Sequence, residues 1–295
     1  MAAFSGKANQ SVLGELPPDC KPVVVGLDFG TAYSGIAIAY RASPDIIISC
    51  APGATDASQT KVPTALLKSE DGSWEFGYEA LSRYSSLANA VEAGGEIPAQ
   101  LFKGYKMVLK GQNAGFETLT APSVSGQSHS LLELITISLQ KLKEHAITRL
   151  ELGFCGERLD PLKDIQWVLT VPAIWNDFGK AFMRKAAFRA GLMDSELSDN
   201  LVLVLEPEGA AMAVHLGQLN FNILSVGSQF MVLDCGGGTV DITAHEVMCL
   251  SPLKMKAIVI PTGGEWGGDY VNVEFKNFLK ELLGPDLYDE NKYPY

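Results

Sequence analysis

The sequence predicts an α/β protein built as two related lobes. Two strand–glycine turn–strand hairpins of the same plan recur about two hundred residues apart, strand-to-helix units lie between them, and two segments carry the apolar stripe of an amphipathic helix. At 295 residues the chain is long enough for about two units of roughly 150 residues each. With 47% hydrophobic and 19% charged residues it can bury a core, which excludes a disordered polypeptide.

Charge and cysteine usage exclude further classes. Acidic residues outnumber basic ones 34 to 23, a formal net charge of −11, so the phosphate-backbone attraction used by nucleic-acid binders is lacking globally and no nucleic-acid partner is expected. The five cysteines are scattered, with no Cys-x-x-Cys, which argues against a disulfide framework and a structural zinc site. The four histidines, His129, His145, His215 and His245, lack metal-ligand spacing. No eighteen apolar residues run together and the first twenty lack a signal-peptide core, so the expectation is a cytoplasmic protein, with a nuclear location also open, and no membrane span.

Residues 1–22 read as a flexible tail ending at Pro17-Pro18 and Pro22. From Val23 to Tyr40 two apolar runs flank a Gly/Thr/Ser-rich turn and predict a β-hairpin with its loop at Asp28 to Gly35. Residues 51–130, richer in Gly, Pro and Ser, read as small strands joined by turns, an inserted subdomain at about 55–128 within a first lobe of 23–225. A long amphipathic helix is expected over Leu131–Leu152 from Leu131, Leu134, Ile135, Leu142, Ile147 and Leu150. The strand Trp167–Val171 stops at Pro172, and Asn176 or Asp177 caps a helix running to Gly191. A second unit pairs the strand Leu201–Leu205 with the helix Glu208–Leu216, Pro207 sitting where a missing amide hydrogen is tolerated. A partial second lobe, 226–295, then holds strands at Phe230–Leu233, Val240–Ala244 and Lys256–Ile260. Its helix is capped by Asp269, with Val271, Phe275, Phe278, Leu279 and Leu282 on one face, and stops at Gly284-Pro285, the last eleven residues being polar.

The internal echo carries the chemistry. Gly26-Leu27-Asp28-Phe29-Gly30-Thr31 and Val232-Leu233-Asp234-Cys235-Gly236-Gly237-Gly238-Thr239-Val240-Asp241 each read strand, Asp, glycine turn, Thr. Glycine lets backbone amides approach a polyphosphate with no Cβ in the way, and successive amides in such a turn form an anion-binding concavity. An Asp at the strand end would repel the anion directly, but it can hold water on a divalent cation that bridges the phosphates, as magnesium prefers. Asp28, Asp234 and Asp241 are therefore the magnesium candidates, through water. Either turn alone is ordinary hairpin chemistry; the matched pair is the signal.

Val25-Gly26-Leu27-Asp28-Phe29-Gly30-Thr31-Ala32-Tyr33-Ser34 and Leu233–Asp241 resemble the two phosphate motifs of the 70-kilodalton heat-shock protein family. Agreement extends to Val171-Pro172-Ala173-Ile174-Trp175-Asn176-Asp177, Leu205-Glu206-Pro207-Glu208-Gly209-Ala210-Ala211 and Gly263-Gly264-Glu265-Trp266-Gly267-Gly268-Asp269. The Asp-Cys-Gly-Gly-Gly, Trp-Asn-Asp and Glu-Pro-Glu-Gly-Ala-Ala forms are most similar to the divergent heat-shock protein 12 branch. The resemblance implies the α/β actin-like ATPase (ribonuclease H-like) two-lobe fold, here with an incomplete second lobe, and ATP or ADP with magnesium as ligands. It makes Gly30, Thr31, Ala32 and Tyr33 first-loop contacts, Gly236, Gly237, Gly238 and Thr239 second-loop contacts, and Asp28 and Asp234 magnesium-water ligands. Asp234 also counts among the catalytic group with Glu206, which would orient the attacking water or metal. Lys106 best matches the family's catalytic lysine, with Lys103 second. Protein partners or clients of a chaperone-related protein are a further implication.

Departures from the family pattern matter. Ala32 stands where the usual first loop has a second Thr, which removes a hydroxyl from the phosphate or water network. The resemblance covers roughly residues 23–283, without the family's adenosine-binding glycine motif. The leading expectation is Mg-dependent hydrolysis of the γ-phosphate; the alternatives are a nucleotide-binding but non-hydrolysing scaffold, a small-metabolite kinase on the same fold, and a filament-forming actin-like protein.

Overall fold

The computed structural model describes residues 20–51, 59–91, 95–113, 115–153, 159–217 and 224–284. The expected tail up to residue 19, the eleven polar residues after Gly284, Cys155 and parts of the expected insertion lie outside these residues.

A six-stranded sheet forms around the first hairpin, β1 (Val23–Phe29) and β2 (Tyr33–Tyr40). Strict alternation makes the hairpin: Val23, Val25, Leu27 and Phe29 all face the core and are fully buried. Two strands the sequence reading did not separate, β3 (Ser43–Cys50) and β4 (Lys61–Pro63), both pair antiparallel with β2. On the other side β10 (Ile165–Val171) runs parallel to β1, and β11 (Leu201–Leu205) parallel to β10.

Between β4 and β10 lies the inserted segment, with β5 (Ala65–Ser69), β6 (Trp74–Phe76), α1 (Tyr78–Ala90) and β7 (Ala99–Lys103), then a 3-10 turn at Tyr105–Leu109, a small hairpin β8 (Thr120–Pro122) and β9 (Ser128–Ser130), and α2 (Leu131–Gly153). Helix α1 corrects the expectation of strands and turns alone. Its Ala80, Leu81, Tyr84 and Leu87 share one face at helical spacing and pack against Leu67 and Leu101. Helix α2 is as expected: Leu131, Leu134, Ile135, Leu139, Leu142, Ala146 and Leu150 form its buried stripe. Each large core side chain here, such as Trp167, Phe29 or Phe182, contributes about 1.5–3 kcal/mol by burial.

Helix α3 (Asp177–Arg189) starts at Asn176, whose side-chain oxygen accepts from the Gly179 amide. Helix α4 (Glu206–Gly217) follows β11 directly, which leaves Glu206 at the strand end and at the first helical turn together. A second sheet then forms from β12 (Gln229–Cys235), β13 (Val240–Leu250), β14 (Leu253–Ala257) and β15 (Thr262–Gly264), with β12 and β15 both on β13. The expected strand at 256–260 thus begins earlier and ends at Ala257. Helix α5 (Gly268–Leu283) is capped at Gly267 with no side-chain cap bond, not at Asp269 as expected. The reason is tertiary: the Asp269 amide donates to the Gly237 carbonyl, which draws that residue inside the first turn. The expected apolar face of α5 is exposed, with Val271, Phe275, Phe278 and Leu282 all more than half accessible. Among the described residues no helix is long and apolar enough to cross a membrane.

Candidate functional site

The first glycine turn joins β1 to β2. A Cβ on Gly30 would run into the Tyr33 carbonyl oxygen, so the tightness of the turn requires glycine there. Thr64 braces it: the Thr64 hydroxyl donates to the Gly30 carbonyl at 2.9 Å, its amide donates to the Ala32 carbonyl at 2.8 Å, and the Ser34 hydroxyl lies 2.7 Å from the Thr64 oxygen. Thr31 is half-buried with its hydroxyl 3.8 Å from the Met107 sulfur, whereas Tyr33 stands exposed at the start of β2.

The second turn, Gly236 to Thr239, joins β12 to β13 and is closed by the Gly236 amide donating to the Thr239 carbonyl at 2.9 Å. The amides of Gly268 and Asp269, at the start of α5, donate to the Gly236 and Gly237 carbonyls at 3.0 and 2.8 Å. Thr239 turns inward, its hydroxyl donating at 2.9 Å to Asp241, which is 1% exposed. The other Asp241 oxygen accepts the Ile174 amide at 3.2 Å, tying the second sheet to the end of β10. Cys235 is exposed, because the odd-numbered side chains of β12 point to its open face.

The two turns meet. A Cβ on Gly237 would collide with the Ala32 Cβ, and one on Gly238 would lie 2.5 Å from the Met107 sulfur and 2.9 Å from Thr31 Cγ2. Residues 30–32 and 236–238 thus face one another in one place.

Carboxylates and lysines gather behind the turns. Asp28 accepts from Lys61 Nζ at 2.6 Å and from the Thr170 hydroxyl at 3.1 Å. Lys106 is 2% exposed, and its ammonium donates to the Phe29 carbonyl at 2.5 Å and to Glu206 Oε1 at 2.8 Å, with the rings of Trp175 and Phe29 at 5.2 and 5.7 Å. Lys103 points outward from the end of β7. Asp234 and Asp241 are direct cross-strand partners, and the Asp241 charge opposes ionisation of Asp234. Burial, then Asp241 and Asp28, push the Asp234 carboxyl above the usual range, against the pull of Lys61 and Lys106. Glu206 is likewise pushed up, chiefly by burial, with Lys106 opposing and Asp28 and Asp234 adding to the rise.

Sequence reasoning missed Thr64, Lys61, Thr170 and Met107. Nothing in Lys61-Val62-Pro63-Thr64 marks it as part of a site; only the pairing of β4 with β2 brings it there. The donor set suits a hard divalent cation held through its own waters: the carboxylates of Asp28, Asp234, Asp241 and Glu206 outnumber the two ammonium groups of Lys61 and Lys106 beside them. Among the described residues no three His, Cys, Asp or Glu groups gather for direct ligation of a metal ion.

No protein-family model matches the chain. Among curated proteins it is similar to heat shock 70 kDa protein 12A of Homo sapiens, 29% identical over 92% of this chain and 47% of that protein. Heat shock 70 kDa protein 12B of Homo sapiens is 29% identical over 90% of this chain and 46% of its own length. Chaperone protein DnaK of Methanothermobacter thermautotrophicus is 28% identical over 77% and 31%. The chain spans about half the length of the two member 12 relatives. Among solved structures, MreB5 of Spiroplasma citri bound to ADP superimposes with a TM-score of 0.52 at 12% identity, covering 90% of this chain and 58% of that one. The similarity to the 70-kilodalton heat-shock family, in its member 12 branch, therefore extends over nine-tenths of the chain, and the fold is that of the actin-like ATPases.

Proposed function

We propose that this chain binds magnesium-ATP and magnesium-ADP between its two glycine turns and hydrolyses the γ-phosphate, as part of a chaperone-related protein. The observation that carries the reading is the convergence of the turns at Gly30–Ala32 and Gly236–Gly238 with a carboxylate cluster directly behind them. The ADP bound to MreB5 supports the choice of nucleotide.

In this proposal the backbone amides of the two turns, with the hydroxyl of Thr31 and the phenol of Tyr33, grip the phosphates, while the Thr239 hydroxyl stays on Asp241 and braces the second turn. Magnesium, when bound with the nucleotide, supplies positive charge against the phosphate oxygens. Asp28 and Asp234 hold it through its waters, with Asp241 behind them adding favourable charge. Glu206 accepts a hydrogen bond from the attacking water, and its raised proton affinity suits it to draw off that water's proton. The water oxygen bonds the γ-phosphorus as the bond from that phosphorus to the β,γ-bridging oxygen breaks, giving ADP and inorganic phosphate. Lys106 steadies Glu206 and offers its positive charge to the transferring group, a role whose removal costs about 3 kcal/mol of barrier.

One observation favours a second reading, binding without turnover. Ala32 brings no hydroxyl to the first turn and its methyl lies against Gly237, so one polar contact of the usual loop is replaced by packing. A melt with magnesium-ATP and a phosphate-release assay separate the two. At a hundred times its dissociation constant the nucleotide adds about 2.7 kcal/mol of stability, and Asp234→Ala abolishes the shift. Slow phosphate release lost in Lys106→Met and Glu206→Gln supports hydrolysis; a full melting shift without release supports the scaffold; the absence of any shift overturns nucleotide binding.

A further inference from the structure

Resting on the nucleotide reading above, we propose that Lys61 is a second, exchangeable cation of the site: it pairs with Asp28 until a nucleoside polyphosphate enters, then moves to a phosphate oxygen and releases Asp28 to the metal's waters. The arrangement follows from sheet register. Gly35 on β2 is the partner of Asp28 on β1 and of Lys61 on β4, so these three lie in one row across the sheet. Side chains in a row share a face, and strands two apart are separated by roughly 10 Å. The middle position of the row is glycine, and its bare α-carbon leaves a saddle over which the Lys61 stem passes; a Cβ on Gly35 would lie 3.2 Å from Lys61 Cγ. The ammonium thereby reaches Asp28 Oδ2 at 2.6 Å, just behind the first glycine turn. Thr170 holds the other oxygen of the same carboxylate, so the acid stays aimed when the lysine leaves.

Two features make Lys61 exchangeable where Lys106 is fixed. Its side chain is 53% exposed and that of Asp28 38%, so the pair is of the kind worth about 0–1 kcal/mol, readily traded for a charge-assisted bond to a phosphate. Lys106, by contrast, is 2% exposed and bonded to both Phe29 and Glu206. While Lys61 pairs with Asp28 it competes with a divalent cation for that carboxylate; once on a phosphate it assists both ligands. Lys61 thus makes the metal and the polyphosphate cooperative.

The test uses the full chain, with calorimetric titration of magnesium chloride alone and of magnesium-ATP, for wild type, Lys61→Met and Lys61→Arg. In Lys61→Met, magnesium-ATP should bind about tenfold to a hundredfold more weakly, the loss of one charge-assisted bond. Magnesium alone should bind that variant up to about fivefold more tightly, since its competitor is gone. Lys61→Arg should keep both affinities near wild type, and the ligand-free melting temperature should not move. Opposite signs in the two titrations are the signature. Unchanged affinities in Lys61→Met, or a weakening of both, would overturn the proposal while wild-type nucleotide binding leaves the functional reading standing. Failure of the wild type itself to bind nucleotide would overturn both.

Discussion

Replacing Lys106 by Met isolates the electrostatics of the site floor. The side chain is 2% exposed and its partner Glu206 18%, so the change strands a mostly buried carboxylate among Asp28 and Asp234. Breaking a buried pair from one side costs about 3–5 kcal/mol, and the residual exposure of Glu206 argues for the lower end. The Phe29 carbonyl also loses its donor, about 1 kcal/mol more. At about 2–4 °C per kcal/mol for a chain of this size, the ligand-free melting temperature at pH 7.5 should fall by roughly 10 °C. The sign with pH follows from Glu206. Its carboxyl is already pushed toward the protonated form, and without the ammonium it is pushed further, so on acidification it takes a proton and sheds the unpaired charge. The deficit of Lys106→Met should therefore be smaller at pH 5 than at pH 7.5. In the double variant Lys106→Met/Glu206→Gln most of the loss should return, because no charge is stranded. Fluorescence melts of the wild type and the two variants at both pH values decide it. An equal deficit at the two pH values, or no recovery in the double variant, would refute the electrostatic account and leave only a packing role.

Gly237→Ala should destabilise by about 1–3 kcal/mol, since its Cβ meets that of Ala32 and the turns must part; a melt reads the cost, and a magnesium-ATP shift should be lost with it. Gly209→Ala, on α4 with open space around it, should instead stabilise by about 0.5–1 kcal/mol in a urea titration. Asp234→Asn tests the raised carboxyl: a group lifted in the folded state contributes stability that is complete below its ordinary range near about pH 4 and is lost as pH rises through the lifted value. The ligand-free Asn variant should thus melt higher than wild type at pH 7.5, with the gain shrinking toward about pH 4; a gain that grows on acidification would contradict the assignment.

Much of this was readable along the chain because it is local. The alternation of Val23, Val25, Leu27 and Phe29 specifies a strand, and the striped heptad-like spacing of Leu131 to Leu150 specifies a helix whatever surrounds it. The glycine turns announce themselves because close backbone approach allows no other residue. Helix α1 was missed although Ala80, Leu81, Tyr84 and Leu87 recur at helical spacing, because the Gly, Pro and Ser content of the surrounding segment pointed to turns. Asp269 looked like a cap and is drawn past that position by a hydrogen bond to a turn more than thirty residues away in sequence.

Composition, element types and the two matched hairpins were determined by the residues alone, since each depends on neighbours a few positions apart. Which lysine faces the acids was decided by the tertiary structure. Tyr105 is buried with its hydroxyl 2.6 Å from that of Ser138, and this orients the 3-10 turn that it begins, so that Lys106 enters the site while Lys103 stays outside. Lys61, Thr64 and Thr170 join the site only through strand register, and Gly237 reaches Ala32 only because two sheets pack together. Contacts of this kind span from tens of residues to two hundred, and one-dimensional spacing carries no record of them.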